Sequence, residues 1–213
     1  MFIHLHHKIC LQKIVSIFFH QCYVGSLNSY NGNAEMNSSS HTLAQHNVAL
    51  DLQYTLKSPS ECSEQELAEF IELVKQGNAV NTSDINVQLQ RAKCLLFCTM
   101  KQRLVAIGAI KTPLQSYKNT IFEKAGQQPL AAHHQAELGW ISVNRAFRGL
   151  GITHKLIEKL VTQLANTSFY ATLRVDNQIM RKRFLAHGMR QLGKAFRSQR
   201  GDYDLCLFSS NTL

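Results

Sequence analysis

The sequence predicts a three-layer α/β (α+β) domain, with about seven strands in a mixed central sheet and about four main helices. Residues 137–164 have the pattern of a strand, a glycine-bearing loop and a helix with apolar residues at three-to-four-residue spacing. Residues 169–189 repeat this order, with an Asp-Asn turn and a short helix. The apolar stretches 93–100 and 103–111 flank Lys101-Gln102 and predict a hairpin that is covered on both faces.

Short sequence patterns in the first part of the domain predict one strand and two helices. Residues 48–57 alternate apolar and polar side chains, which is typical of an edge strand. Ser63 and Glu66 form a capping-box pattern that opens a helix, and Gly77 ends this helix. A second short helix is expected to start at Ser83.

The connection 113–136 is long for a link between two strands, so we expect it to contain a short helix that ends at Gly126. Such a connection is a candidate for an element that faces the substrate, and a surface insertion without a role is the alternative. Residues 189–197 and 202–209 predict two closing strands.

The composition fits one globular domain, because the 213 residues are 45% hydrophobic and 17% charged. No apolar run reaches the ~18–20 residues that are needed to cross a bilayer. The six cysteines include no C-x-x-C pair, which predicts reduced thiols in a cytoplasmic protein. No metal site is expected.

The N-terminal part differs in composition from the rest. We expect residues 1–45 to form a poorly ordered extension or linker and residues 46–213 to form the domain. Residues 25–42 are rich in Ser, Asn and Gly, and Met36 is an alternative start. A poor signal sequence or an amphipathic helix are the other interpretations of the first residues.

The loop before the helix at 152 carries the first chemical signal. Gly149 and Gly151 let the backbone approach a ligand closely, and the helix start leaves backbone N–H groups without partners. These donors, the helix dipole and the Arg148 guanidinium would suit an anion such as a pyrophosphate. An ordinary strand-to-helix connection is the alternative.

Both segments together resemble the GNAT superfamily of acyl-CoA-dependent N-acyltransferases over about residues 50–209. In the family loop R/Q-x-x-G-x-G/A, Arg148 and Gly151 fill the first two specified places, and Thr153 departs from the third. The later family segment is Asn, an apolar residue, Tyr and then Gly-Phe. The residues here in these places are Asn177, Met180, Phe184 and Gly188-Met189.

The resemblance implies acetyl-CoA as co-substrate, without a metal. The strands at 137–143 and 169–175 would part at their C-terminal ends, and the pantetheine arm would pair with the free edge of the first strand. The backbone amides of this strand would stabilise the oxyanion. The expected coenzyme contacts are Ile141, Ser142, Val143, Arg148, Gly149, Leu150, Gly151, Ile152, Thr153, Asn177 and Phe184.

The resemblance also places a general base at Glu137, for which an exposed strand-end carboxylate without a role is the alternative. His133 and His134 are the next candidates. Arg174 would recognise a carboxylate on the acceptor or form a structural ion pair, and we favour the ion pair. Phe184 stands where many members have a Tyr that protonates the CoA thiolate, and phenylalanine has no proton to donate.

We therefore predict an acetyl-CoA-dependent N-acetyltransferase that moves an acetyl group to a primary amine of a small molecule or protein by direct attack. A CoA-binding module without turnover and an RNA-directed acetyltransferase are the alternatives. The net charge of +9 favours an anionic partner, and an anionic coenzyme accounts for it without nucleic acid. A homodimer is compatible with the sequence.

Overall fold

The computed structural model describes residues 51–77 and 84–210, which contain seven strands and five α-helices. The strands are β1 (Leu52–Lys57), β2 (Cys94–Met100), β3 (Arg103–Lys111), β4 (Ala136–Val143), β5 (Phe169–Arg174), β6 (Arg190–Arg197) and β7 (Asp204–Ser209). The helices are α1 (Glu64–Gln76), α2 (Ile85–Gln90), α3 (Gln115–Lys124), α4 (Ile152–Gln163) and α5 (Gln178–Ala186). Short 3-10 turns lie at Pro59–Glu61, Gln128–His133 and Arg145–Phe147.

The seven strands form one mixed sheet in the order β1-β2-β3-β4-β5-β7-β6. Only β4 and β5 are parallel, and every other neighbouring pair is antiparallel. The predicted three-layer fold and mixed sheet are confirmed. The described residues hold one more α-helix than the four main ones expected, because the predicted short helices at 85–90 and 115–124 both form. The predicted helix start Ser83 and residues 1–50 lie outside the described residues.

Helices cover both faces of the sheet. On one face, α1 and α2 pack on β2, β3 and β4 around Phe70 and Leu89, and α3 packs on β5, β6 and β7 around Phe122. On the other face, α4 and α5 contribute Leu156, Leu160 and Phe184 to the largest core cluster. In the described part of the chain, no helix has both the length and the apolar character that a membrane span needs.

The helix α1 begins with the predicted capping box. The Ser63 hydroxyl accepts a hydrogen bond from the Glu66 backbone N–H, and the Glu66 carboxylate accepts one from the Ser63 N–H at 2.9 Å. Glu66 also pairs with Lys57 at the end of β1 at 2.6 Å. This cap fixes the start of a helix whose Phe70 ring packs against Trp140 of β4.

The middle of β4 contains a bulge. Gly139 pairs with Ala109 of β3, and Ser142 pairs with Ile107, so β4 has an extra residue between these pairs. Trp140 lies in the bulge with a φ of 51°, in the left-handed region that non-glycine residues rarely adopt. Because bulges bend a strand and increase its twist, this one turns the second half of β4 away from its straight course.

The described cysteines are free thiols, as predicted: Cys62, Cys94, Cys98 and Cys206. Cys94 and Cys98 share a face of β2, and both contribute to the core cluster beneath α4. The Lys101-Gln102 hairpin also forms, with positive φ angles of 49° and 64° that match a tight two-residue turn.

We expect Ser63→Ala to lower the free energy of unfolding by about 1 kcal/mol, because it removes a helix cap. Urea denaturation measures the change. Ser116→Ala is the matched control, since Ser116 lies exposed in the first turn of α3 and its hydroxyl makes no hydrogen bond within the described residues. Equal stability of the two variants would contradict the capping role.

Candidate active site

The site forms because the pairing between β4 and β5 stops after two residues. The two strands pair only at Ala136 with Phe169 and at Glu137 with Tyr170. Beyond Glu137 they part and leave a cleft of about 210 Å³. Trp140, Ile141 and Ser142 line one wall of this cleft, and the opposite wall includes residues of β5 and α5. The parting of the strands confirms the prediction for this pair.

The free edge of β4 faces the cleft. The Asn144 N–H donates to the Val105 carbonyl of β3 at 2.9 Å, so Asn144 forms a hydrogen-bonded pair across the two strands. Backbone groups alternate along a strand, and those of Val143 and Ile141 therefore point away from β3, towards the gap beside β5. The Val143 carbonyl accepts a hydrogen bond from Arg148 Nε at 3.2 Å. The Ser142 side chain is buried against the cleft.

The loop after β4 presents a row of unpaired amides. Within the described residues, the backbone N–H groups of Gly149, Leu150, Gly151, Ile152 and Thr153 donate to no protein acceptor. Gly149 and Gly151 have φ angles of 85° and 75°, and no atom lies within 4 Å of the position where their Cβ atoms would be. Open space thus lies beside these amides at the start of α4, where the helix dipole is positive.

Arg148 and Asn177 each have one structural contact. Arg148 uses its Nε for the Val143 carbonyl, and its side chain is otherwise exposed. Asn177 is the N-cap of α5, because its side-chain oxygen accepts from the Met180 N–H at 3.0 Å. Asn177 also lines the cleft. The remaining side-chain nitrogens of Arg148 and Asn177 make no hydrogen bond within the described residues.

Phe184 lies on the wall of the cleft and in the core. Its side chain is 3% exposed, and its ring centroid is 5.6 Å from that of Phe208. The ring packs in the apolar core cluster beneath α4 and α5 and has no proton to donate to a thiolate.

Glu137 lies where the two strands part. Its side chain is buried, with a residue exposure of 4%, so the alternative of an exposed strand-end carboxylate is wrong. Lys111, its partner across β3 and β4, places Nζ 2.8 Å from Glu137 Oε2. The contact is an ion pair and not a well-aligned hydrogen bond. Lys111 Nζ also lies 5.1 Å from the Trp140 ring centroid.

Two tyrosines flank this carboxylate. The Tyr170 hydroxyl is buried and makes no hydrogen bond within the described residues. Burial, and then the negative charge of Glu137, raises the pKa of Tyr170 above its usual range. The same two causes raise the pKa of Tyr117 on α3. Both phenols therefore keep their protons at neutral pH.

The other predicted base candidates do not lie at the site. His134 is fully buried, with Nδ1 2.9 Å from the Leu130 carbonyl and Nε2 2.7 Å from the Ser209 hydroxyl. Burial lowers the pKa of His134, so its imidazole is neutral. Neither His134 nor the exposed His133 lines the cleft.

Arg174 forms the ion pair that the sequence analysis favoured. It contacts Asp176 at 2.5 Å, and its guanidinium carbon lies 4.6 Å from the Tyr203 ring centroid. Its charge is therefore already paired at the exposed end of β5.

A second cavity of about 150 Å³ adjoins the cleft at Glu137. It lies between α2 and the start of α3, and its walls include Gln88, Leu114 and Tyr117. The expectation that the connection 113–136 faces the substrate thus has a geometric basis. Sequence reasoning missed Lys111, Tyr117 and Tyr170, because their contact with Glu137 depends on the order of strands and helices, which no local pattern records.

The family model described as "Acetyltransferase (GNAT) family" matches residues 61–189, which is more than half of the chain. The chain belongs to the GNAT acetyltransferase family. It is therefore an acyltransferase, and the family binds acetyl-CoA or CoA. No curated protein sequence matches the chain.

Solved GNAT structures share the fold at low identity. An acyl-CoA N-acyltransferase from Pseudomonas aeruginosa is 15% identical, covers 75% of this chain and 99% of its own, and has a TM-score of 0.57. The ribosomal-protein-S18-alanine N-acetyltransferase from Escherichia coli is 15% identical, with coverages of 74% and 93% and a TM-score of 0.53. A GNAT acetyltransferase from Elizabethkingia anophelis with acetyl-CoA bound is 9% identical, with coverages of 75% and 97% and a TM-score of 0.52.

We expect Gly151→Asp to raise the Kd for CoA about tenfold or more above that of Gly151→Asn. Both side chains tolerate the left-handed backbone and can cap a helix, but only the aspartate places a negative charge beside the amides. Isothermal titration with CoA at low and high salt measures the difference, which salt reduces. Equal affinities of the two variants would show that no phosphate binds at these amides.

Proposed function

We propose that the protein is an acetyl-CoA-dependent N-acetyltransferase that transfers an acetyl group to a primary amine by direct attack, with Glu137 as general base. The observation that carries this proposal is the position of the Glu137 carboxylate. It is buried at the last paired residue of β4, where the cleft between the strands meets the second cavity. Among the described residues, it is the one carboxylate that lines either space.

The residues present fit the co-substrate. The five unpaired amides of 149–153, beside open space, suit the pyrophosphate, and Arg148 keeps terminal nitrogens for a second contact. The backbone groups of Ile141 and Val143 face the gap and suit the amides of an extended arm, with Ser142 between them. Leu150, Ile152 and Thr153 contribute backbone donors, and Asn177 and Phe184 form the opposite wall. When bound, acetyl-CoA supplies the activated acetyl thioester.

Glu137 would take the proton of an incoming ammonium, directly or through a water. The carboxylate is buried and lines both the cleft and the second cavity, which supports its role as a general base between the donor and the acceptor. The Lys111 ammonium, 2.8 Å away, keeps the carboxylate paired between turnovers. The phenols of Tyr117 and Tyr170 keep their protons in the field of this carboxylate, so they add no second negative charge beside it.

Two named relatives support the donor and the acceptor class. The Elizabethkingia anophelis structure holds acetyl-CoA, and the Escherichia coli enzyme acetylates an alanine of ribosomal protein S18. These features support an amine of a small molecule or a protein as the acceptor. We assign the activity to residues 46–213, with 1–45 as an extension outside it. The free thiols support a cytoplasmic location.

We expect Glu137→Gln to lower kcat by about 10²-fold or more, because it removes the proton acceptor and keeps the shape of the side chain. Thiol release from acetyl-CoA with a panel of primary amines measures this. Glu123→Gln, on the exposed surface of α3, is the matched control and retains full activity. The base assignment is wrong if the Glu137 variant turns over at the normal rate with normal CoA affinity.

We expect Phe184→Tyr to raise kcat severalfold, since it returns a phenol to the wall where the departing thiolate lies and general acids contribute about 10²–10⁴-fold when well placed. Stopped-flow measurement of thiol release, with the CoA affinity measured in parallel, provides the readout. An unchanged kcat at unchanged affinity would show that thiolate protonation does not limit the reaction. A wild-type protein that binds CoA and releases no thiol with any amine would instead be a CoA-binding module.

A further inference from the structure

The second cavity is rich in positive charge. Its lining includes three cationic side chains, Arg91, Lys111 and Arg200, against the single carboxylate of Glu137. Lys111 is the partner of that carboxylate, at 2.8 Å. The two guanidinium groups therefore remain without a carboxylate partner among the described residues.

Arg91 is held at the cavity wall by the fold. It is the C-cap residue of α2, and its side chain is half-buried. Its Nε atom is buried and makes no hydrogen bond to any described residue. A buried donor without an acceptor costs stability, so this group calls for an explanation, and a bound anion is one that satisfies it.

Arg200 reaches the same cavity from the turn before β7. Its guanidinium carbon lies 5.9 Å from the centroid of the Tyr117 ring, which forms part of the cavity wall. Its near neighbour Arg197 pairs with Asp202 and Asp204, whereas Arg200 pairs with no described carboxylate. The two arginines thus come from distant parts of the chain to line one space.

We propose that the acceptor is a small amine that carries a carboxylate, and that Arg91 and Arg200 bind this carboxylate while the amine faces Glu137. This inference rests on the proposed function. A planar guanidinium matches a carboxylate through paired hydrogen bonds, and Glu137 on the wall of the same cavity offers the negative charge that an ammonium needs. The cavity of about 150 Å³ is well below the ~300 Å³ of pockets for drug-sized ligands, which favours a small acceptor.

A carboxylate suits this cavity better than a phosphate. A carboxylate is smaller than a tetrahedral phosphate, which favours it in a cavity of about 150 Å³. Thr112 and Gln88 add neutral polar groups to the wall. The acceptor class is therefore that of amino acids with a short chain between the amine and the carboxylate.

The test uses the full chain and matched acceptors. Glycine, β-alanine and 4-aminobutyrate are each compared with the corresponding amide, and O-phosphoethanolamine is added as the phosphate form. We expect kcat/KM for at least one acid to exceed that for its amide about tenfold or more, the usual effect of a charge-assisted hydrogen bond. Arg91→Gln and Arg200→Gln each reduce this acid-to-amide ratio about tenfold.

The controls separate this inference from the proposed function. Arg103→Gln, at an exposed position of β3 outside the cavity, leaves the ratio unchanged. Circular dichroism and thermal melting show whether the half-buried Arg91 variant folds, and the exposed Arg200 variant gives a second readout. Turnover with equal use of acids and amides, or better use of the phosphate form, overturns this inference and leaves the N-acetyltransferase standing.

If no amine is acetylated, the proposed function fails, and a binding measurement then tests the carboxylate site by itself. Isothermal titration of the CoA-loaded protein with 4-aminobutyrate and 4-aminobutanamide then compares the acid and the amide directly. Preferential binding of the acid that is lost in Arg91→Gln supports the carboxylate site. Absence of binding, or equal binding of acid and amide, overturns it.

Discussion

The brief pairing of β4 with β5 is the constraint on which the rest of the site depends. A parallel pair that continued to the end of β4 would fill the cleft with its own hydrogen bonds. The bulge at Trp140 bends the strand away, at the cost of a left-handed backbone at a bulky residue. Burial of the Trp140 ring against Phe70 and beneath Lys111 offsets that cost. The carboxylate of Glu137 lies where the strands separate, since it belongs to the last pair.

On the proposed function, the sheet also separates the two substrates, because their sites belong to helices on opposite faces. The row of unpaired amides opens α4, which covers one face of the sheet together with α5. The cationic cavity lies on the opposite face, between α2 and α3. Four residues line both spaces and so connect them: Lys111, Tyr117, Glu137 and Arg200. On the proposed function, donor and acceptor thus approach the reacting carbonyl from different sides, and neither has to leave for the other to enter.

The sequence predicted those features that form between residues close together along the chain. The cap at Ser63, the glycines before α4 and the strand patterns each involve neighbours along the chain, so the fold and the amide row were predictable. The remainder depends on contacts between distant residues. Periodicity places Trp140 with Leu138, but the bulge moves the ring to the other face of the sheet. The burial of His134 and the approach of Arg91 to Arg200 depend on tertiary packing, which carries no local signature.

The seven-stranded sheet has one junction with very few residue pairs, between β4 and β5. β1 to β4 form one section and β5, β7 and β6 the other, and two residue pairs join them. On the proposed function, an extended coenzyme arm lying along β4 acts as a temporary strand that closes this seam. Among the neighbouring strand pairs of the sheet, β4 and β5 share the fewest paired residues, so the arm would add backbone bonds where the sheet has the fewest. Release of CoA and the loss of these backbone contacts would then occur in one step. The rate of turnover would depend on how rigid the sheet is at this junction.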